Sequence, residues 1–291
     1  MPNKQPAVDA DRTGSYELVR SRLEDTIGAG DIAIPMLPEV AAQVVAAAGD
    51  PETSARDMAQ IIYADPALAA HVMRVVTSAA YRPAQPIQSL HHAISWLGMG
   101  EVCELAFTAA VKSRLLNVPR QRARAERLWA TAVGSAAWGR AIADVSGRGG
   151  EASYLAGLMH EIGTPVCLQA CVDIAGKLQL TLSEPALDAL VAEYKTEIGG
   201  RVARVWQLPA AVTAVIDDWS AWADAGLYKD QCAVTFLAHQ LAEHTLASSE
   251  PLAMALADDP VVGHLRLQPP ALAGIVGQAA QIRAVVDNFR N

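Results

Sequence analysis

The sequence is poor in aromatic residues, in charge and in cysteine, and these shortages narrow the class of protein. Aromatic residues make up 5% of the 291 positions and charged residues 19%, whereas hydrophobic residues reach 52%. So little charge with so many apolar residues excludes a disordered, solvating chain. Much of the apolar content is alanine, which favours closely packed helices over sheet. We therefore expect a folded helical protein with a sizeable core.

Disulfides, a signal peptide and membrane spans are not expected either. The 4 cysteines are too scattered for a disulfide framework. Cys167 and Cys171 would share one helix face, but zinc requires two further ligands, so core packing is the better interpretation. Residues 1–17 have no apolar signal core. Proline and glutamine interrupt the longest uncharged runs, 83–100 and 267–282, so we expect no membrane span and a protein of the reducing cytoplasm.

The charge balance disfavours nucleic acid as a partner. The formal net charge is −8, and such a surface repels phosphate backbones. One basic stretch, residues 112–127, departs from this balance but has no Gly-rich phosphate cradle and no interleaved aromatic residues. We interpret it as a solvated linker and helix face. In the alternative in which the protein binds a nucleotide, Arg120, Arg122 and Arg124 are the candidate phosphate contacts.

Helical periodicity continues almost without interruption from Leu37, with no alternation typical of strands and no repeat of fixed period. The pattern predicts an all-α protein. Residues 1–33 are predicted to be a flexible tail, because their first half is polar and lacks periodicity. About five short helices are predicted before residue 116, and the basic stretch is the predicted joint to the helices that follow.

Three helix starts and one helix end can be read from the sequence. Ser54 and Asp57 form a predicted capping box, and Asp65 is predicted to cap the next helix. Ser89 is predicted to cap a third helix, with Gly98 at its C′ position.

A fourth helix is predicted over "SYLAGLMHEIG", with Ser153 as its cap and Gly163 as its end. His160 lies on this helix away from the apolar stripe and beside Gly157, so both flanks are expected to be buried. A buried histidine needs partners for both ring nitrogens. The partners are either a metal together with a second acceptor, or neighbouring side chains and backbone carbonyls. We favour side chains and carbonyls.

Five segments in a fixed order carry a resemblance to a known family. They read, in chain order, "IIYADPALAAHVMRVVTSAAY", "PIQSLHHAISWLGMGEV", "LWATAVGSAAWGRAIA", "YLAGLMHEIG" and "YKTEIGGRVARVWQLPAAVTAVI". Together they resemble the HDOD (HD-related output domain) family, the non-catalytic branch of the HD phosphohydrolase superfamily. Thr77-Ser78 stands where that family has Asn-Ser.

The resemblance implies a domain organisation for the chain. An HDOD domain would cover about residues 34–230, beginning with an N-terminal bundle of about five short helices at 34–115. That bundle would pack on a degenerate HD-like lobe at 116–230, and helices within 231–291 would complete the lobe.

The resemblance also implies where a metal site would lie and that it is degenerate. Catalytic HD enzymes hold divalent ions with histidines and aspartates that activate water for attack on phosphorus. The corresponding positions here form a degenerate pocket of Thr131, His160, Glu161, Lys195, Trp219 and His239, the last by a loose alignment. Only His160, Glu161 and His239 remain as donors, so we expect no bound metal and no other cofactor.

The leading hypothesis is therefore a catalytically inactive HDOD module of bacterial signalling, acting through unknown protein partners or a bound small ligand. One alternative is a residual metal-dependent phosphohydrolase acting on a nucleotide. Another is a sensor of a nucleotide or cyclic-dinucleotide second messenger, using the basic stretch and Lys195. DNA binding comes last, because the early helix pair has few basic residues.

Overall fold

The computed structural model describes residues 6–81, 83, 85–115, 121–150, 152–247, 256 and 258–290. No β-strand occurs over these residues, and the all-α prediction is confirmed. The helices of the N-terminal part are α1 (Pro6–Ala29), α2 (Glu39–Ala48), α3 (Ala55–Tyr63), α4 (Pro66–Val76), α5 (Leu90–Leu97) and α6 (Met99–Leu115).

The C-terminal part begins with α7, a helix of 25 residues. Its helices are α7 (Arg122–Ser146), α8 (Ser153–Met159), α9 (Gly163–Lys177), α10 (Glu184–Val205), α11 (Ala210–Asp218), α12 (Lys229–Ala247), α13 (Pro260–His264), α14 (Pro269–Val276) and α15 (Ala279–Arg290). Two 3₁₀ helices, Trp219–Asp224 and Gly226–Tyr228, connect α11 to α12. None of the helices in the described ranges is both long enough and apolar enough to cross a membrane.

The flexible tail predicted for residues 1–33 is wrong, because α1 occupies most of that segment. Val19, Leu23 and Ile27 recur every four residues, and all three are buried. The helix packs against α9 and α10. The sequence did not predict this helix, because the residues before the apolar stripe are polar and mask the amphipathic half of the segment.

The predicted helix starts around α3, α4 and α5 are confirmed. Ser54 and Asp57 form the reciprocal capping box of α3. Asp65 accepts the backbone N–H groups at the start of α4, and Ser89 caps α5. Gly98 follows α5 with a φ of 90°, a conformation that favours glycine.

The predicted ends of the helix around His160 are wrong. Ala152 is the N-cap of α8, and the Ser153 hydroxyl instead donates to the carbonyl of Gly150. The helix ends at Met159, and Gly163 begins α9 rather than ending α8. His160 therefore lies in a short turn between two helices, which the periodicity alone did not distinguish from one continuous helix.

The core extends through both parts of the chain. One cluster of buried apolar side chains extends from α1 to α15, and a second lies around α7, α12, α13 and α14. All four cysteines are buried with free thiols, as expected for Cys167 and Cys171. The helix α7 contributes to both clusters and forms the shared centre of the C-terminal part.

Candidate functional site

Two glycines position the turn that carries His160 and Glu161. A Cβ atom added at Gly157 would lie 2.5 Å from the carbonyl oxygen of Ser135 in α7. At Gly163 it would lie 1.8 Å from the carbonyl oxygen of Lys195 in α10. Both distances are far below a van der Waals contact, so only glycine permits these approaches. The segment "GLMHEIG" is thereby held between α7 and α10.

His160 is buried and both of its ring nitrogens are hydrogen-bonded. Its Nδ1 lies 2.7 Å from the carbonyl oxygen of Gly157. Because a carbonyl only accepts, Nδ1 carries the proton and Nε2 is an acceptor. The Nδ1 of His239 lies 2.9 Å from that Nε2 and therefore donates to it. The favoured interpretation of a satisfied core histidine agrees with this geometry.

The surroundings keep both rings neutral. Burial lowers the pKa of His160 to about 4. Burial also lowers the pKa of His239. Trp219 contacts both rings, with its centroid 4.8 Å from that of His160 and 4.6 Å from that of His239. At neutral pH the chain of donors and acceptors therefore ends at the Nε2 lone pair of His239.

Glu161 forms an ion pair with a lysine from the neighbouring helix. The Nζ atom of Lys195 donates to Oε1 of Glu161 at 2.6 Å. Burial by itself would raise the pKa of Glu161, but His160 and the Lys195 ammonium outweigh it and the pKa is lowered. Since His160 is neutral at pH 7, the ammonium is the charge that stabilises the carboxylate under those conditions.

Thr131 lies on α7 and bonds to Glu243, a residue that the sequence did not single out. Its hydroxyl donates to Oε1 of Glu243 at 2.8 Å. Glu243 is one helical turn beyond His239 on α12, a spacing of four that could have identified it. A cleft of about 570 Å³ opens beside Thr131 and Glu243.

The candidate phosphate contacts that the structure describes are both paired with carboxylates. Arg122 pairs with Glu126 at 2.8 Å. Arg124 pairs with Asp188 at 2.6 Å and lies 3.5 Å from Glu184. Arg120 lies outside the described residues. An incoming phosphate would have to compete with two carboxylates for Arg124, whereas Arg122 is exposed and its surface ion pair is weak.

The three remaining donors fit a divalent metal poorly. One ligand atom each of His160, Glu161 and His239 lies within 4.8 Å of the others, so the residue types and spacing are suitable. However, the His160 Nε2 lone pair accepts from His239, and Glu161 already has the Lys195 ammonium as its counter-ion. A bound metal would have to break the first contact and lie close to a positive charge.

The structure thus brings most of the predicted pocket together. Direct contacts link five of its residues, namely His160, Glu161, Lys195, Trp219 and His239. Thr131 instead bonds to Glu243, one turn beyond His239. The loose alignment that placed His239 in the pocket is supported by its contact with His160. The residues of this group are joined by hydrogen bonds and by one ion pair.

The order of the helices and the cluster of side chains around His160 define an all-α domain. The chain matches the HDOD domain family over residues 34–221 and belongs to that family. A protein of Treponema pallidum (strain Nichols), described as an uncharacterized protein, is 25% identical over 226 residues. That match covers 72% of this chain but 44% of the relative, so the chain spans less than half of the relative's length.

Solved structures show the same fold. An HDOD domain protein with unknown function from Geobacter sulfurreducens is 22% identical with a TM-score of 0.71, covering 95% of this chain and 98% of its own. A protein from Shewanella amazonensis SB2B, described as a "Putative metal-dependent phosphohydrolase", is 21% identical with a TM-score of 0.70, covering 94% and 99% respectively. At these identities the likeness concerns the fold alone.

Proposed function

We propose that the protein is a catalytically inactive HDOD module that regulates a signalling process through protein partners or a bound small ligand. The observation that carries the proposal is the Lys195–Glu161 ion pair, with Nζ and Oε1 2.6 Å apart. In this position the ammonium supplies the positive charge that a metal would otherwise provide to the carboxylate. The His160–His239 hydrogen bond supports the proposal, because it uses the lone pair that a metal would need.

The two alternatives have weaker support from the geometry. Hydrolysis of a phosphate ester at an HD-type centre requires a metal to activate water, and the donors here are engaged with one another. Nucleotide sensing requires cations that can pair with phosphate, whereas Arg124 and Lys195 already pair with carboxylates.

Metal analysis combined with an activity assay tests the proposal. Protein purified without chelators is expected to contain Mn, Fe and Zn well below one ion per chain. It is also expected to leave bis(nitrophenyl) phosphate intact when these ions are added. One equivalent of metal that is lost in His160→Ala, together with hydrolysis, would overturn the proposal.

A substitution at Lys195 tests the physical reason. Lys195→His removes the ammonium and adds a donor beside Glu161, so Zn²⁺ affinity is expected to rise about tenfold or more. Lys177→His is the matched control, because Lys177 is exposed at the end of α9 and away from the site. Equal affinities in the two variants would show that the ion pair does not prevent metal binding. Isothermal titration calorimetry provides the measurement.

A partner is sought most directly by pull-down from the source cells. Wild-type bait is expected to retain a specific signalling protein that bait unfolded by heat does not retain. The same wild-type protein should show no thermal shift with a panel of nucleotides and cyclic dinucleotides. A nucleotide present at about 100 times its dissociation constant would add roughly 2.7 kcal/mol of stability, so a shift of that size would favour the sensor alternative.

A further inference from the structure

A second cavity lies between the N-terminal helices and α7–α8, away from the HD-type pocket. It is a groove of about 630 Å³, bounded by α2 and α6 on one side and by α7 and the start of α8 on the other. That volume lies within the range of about 300–1,000 Å³ that is typical of sites for small molecules. Most of its wall is apolar, with contributions from Val44, Val45, Met99, Phe107, Leu155 and Pro209.

The polar part of the groove has more carboxylates than cations. Arg140 of α7 pairs with Glu101 at 3.2 Å and also contacts Glu104. Asp144 lies one turn further along α7 and lines the groove as an exposed residue. The lining of the groove therefore carries two carboxylates, Glu104 and Asp144, and one guanidinium, and that guanidinium is already paired twice. Burial, with the charge of Asp144 adding to it, raises the pKa of Glu101 against the opposing effect of Arg140.

We propose that this groove binds a small organic cation, an apolar molecule that carries one protonated amine. Its body would lie against the apolar wall of α2 and α6, and its ammonium would lie near Asp144 and Glu104. An anion is disfavoured, because Arg140 would have to leave its carboxylates to receive it. The groove is separate from the HD-type pocket, so this binding does not depend on the metal content of that pocket.

The position of the groove couples such a ligand to the arrangement of the two parts of the chain. Its walls come from α2 and α6 of the N-terminal part and from α7 and α8 of the C-terminal part, so a bound molecule contacts both parts. A ligand that contacts both parts stabilises the arrangement in which the walls are close. Such binding provides a site and a ligand class for the small-ligand form of the proposed function, on which it rests. Groove binding and metal content are separate measurements, so either can fail without the other.

Three probes with one apolar body test the charge preference. Phenylbutylamine, phenylbutanol and phenylbutanoate differ only in carrying a positive, a neutral or a negative group at pH 7. Isothermal titration calorimetry is expected to show that the amine binds the full chain about tenfold more tightly than the carboxylate, with the alcohol between them. Absence of amine binding up to millimolar concentrations, or binding of the carboxylate as tight as that of the amine, would overturn the proposal.

Glycine substitutions locate the binding. Gly100 lines the groove, and a Cβ added there meets no atom within 4 Å, so Gly100→Phe fills the groove without a clash at Cβ. Gly274 of α14 is equally open and lies outside the groove, which makes Gly274→Phe the matched control. We expect the first variant to lose amine binding and the second to retain it, both with wild-type melting temperatures. Retained binding in Gly100→Phe, or equal loss in both variants, contradicts the location.

A charge substitution separates the ammonium contact from the apolar contacts. Asp144→Asn leaves the ion pairs of Arg140 in place and removes one exposed carboxylate. The affinity for phenylbutylamine is expected to fall about threefold, as for an exposed charge pair, while the affinity for phenylbutanol stays unchanged. Equal losses for amine and alcohol, or no loss for the amine, would contradict the role of Asp144. Because this variant alters no buried side chain, it keeps the proposal testable if Gly100→Phe fails to fold.

Discussion

At the scale of single residues, burial and hydrogen bonding decide the chemistry of the HD-type pocket. The carbonyl of Gly157 fixes the tautomer of His160, and that tautomer makes Nε2 the acceptor for His239. Glu161 stays charged because Lys195 lies beside it. Neither pairing can be read from residue types, since the same histidine and carboxylate also suit a metal.

Removal of the His160 ring is expected to destabilise the protein. His160→Ala leaves the Gly157 carbonyl and the His239 N–H without partners in a buried place, at a cost of about 2–4 kcal/mol. Urea denaturation at pH 7 measures the loss in free energy of unfolding. His91→Ala, at an exposed position of α5, should change that free energy by less than about 0.5 kcal/mol. Equal effects of both substitutions would contradict the buried hydrogen-bond chain.

The free energy of unfolding is expected to depend on pH through His160. Its pKa falls from 6.5 to about 4 on folding, so the unfolded chain binds more protons between these values. Stability is therefore complete above pH 6.5 and declines as the pH falls towards 4, by up to about 3 kcal/mol. His239 acts in the same direction. Urea titrations of wild type and His160→Ala across this range should show a flatter profile for the variant; parallel profiles would contradict the expectation.

At the scale of elements, glycine sets how closely the helices of the pocket approach. Gly163 of α9 lies against the Lys195 carbonyl and beside Gly199 of α10. Because α9 and α10 lie so close together, Lys195 of α10 reaches Glu161 in the turn that precedes α9. The two glycines of "GLMHEIG" therefore position the site residues, although the sequence assigned Gly163 to the end of a helix.

Two glycines of the same helix should respond oppositely to alanine. Gly163→Ala places a Cβ 1.8 Å from a backbone oxygen, and the required helix displacement is expected to cost about 3 kcal/mol or more. Gly176 has no atom within 4 Å of an added Cβ, so Gly176→Ala should be neutral or stabilise by up to about 1 kcal/mol. Thermal and urea denaturation provide the values. A tolerated Gly163→Ala would disprove the close approach of α9 and α10.

At the scale of the whole molecule, α1 and the segment after it pack against α9 and α10 and form polar contacts with α10. Arg20 of α1 pairs with Glu193 at 2.6 Å. Trp206, at the end of α10, donates from Nε1 to the Pro35 carbonyl at 2.8 Å. The family match begins at residue 34, so α1 precedes it in sequence and yet packs on helices within it.

The docking of α1 can be tested with two leucines. Leu23 is fully buried, and Leu23→Ala is expected to cost about 2–5 kcal/mol. Leu18, on the same helix, is 59% exposed, and Leu18→Ala should cost less than about 0.5 kcal/mol. Urea denaturation compares them. Equal small effects would mean that α1 does not pack against the rest of the chain.

Trp206 is expected to be a core anchor. It is buried, and Trp206→Ala should cost about 3–5 kcal/mol of unfolding free energy. Trp96 is 42% exposed and provides the control, with a much smaller loss on substitution by alanine. A variant Trp206→Ala that melts at the wild-type temperature would contradict the core assignment.

The sequence by itself determined the helical class, the family and several helix starts, because these depend on local patterns. Periodicity, caps such as Ser54 and Asp65, and the order of motifs act over short stretches of chain. The segment of α1 was predicted as a tail because its first half is polar. The turn at His160 was predicted as helix because the residues on both sides of it continue a helical pattern. Their correct form depends on contacts with helices distant in sequence.

Tertiary structure alone decided how the pocket residues pair and where the second cavity lies. Lys195 meets Glu161, and His239 meets His160, across 34 and 79 positions of sequence, and Glu243 reaches Thr131 across 112. Such pairings arise when helices with glycine contacts fix the side chains in space, and no spacing along the chain encodes them. The groove beside Arg140 likewise exists because α2 and α6 meet α7 and α8 without filling the space between them.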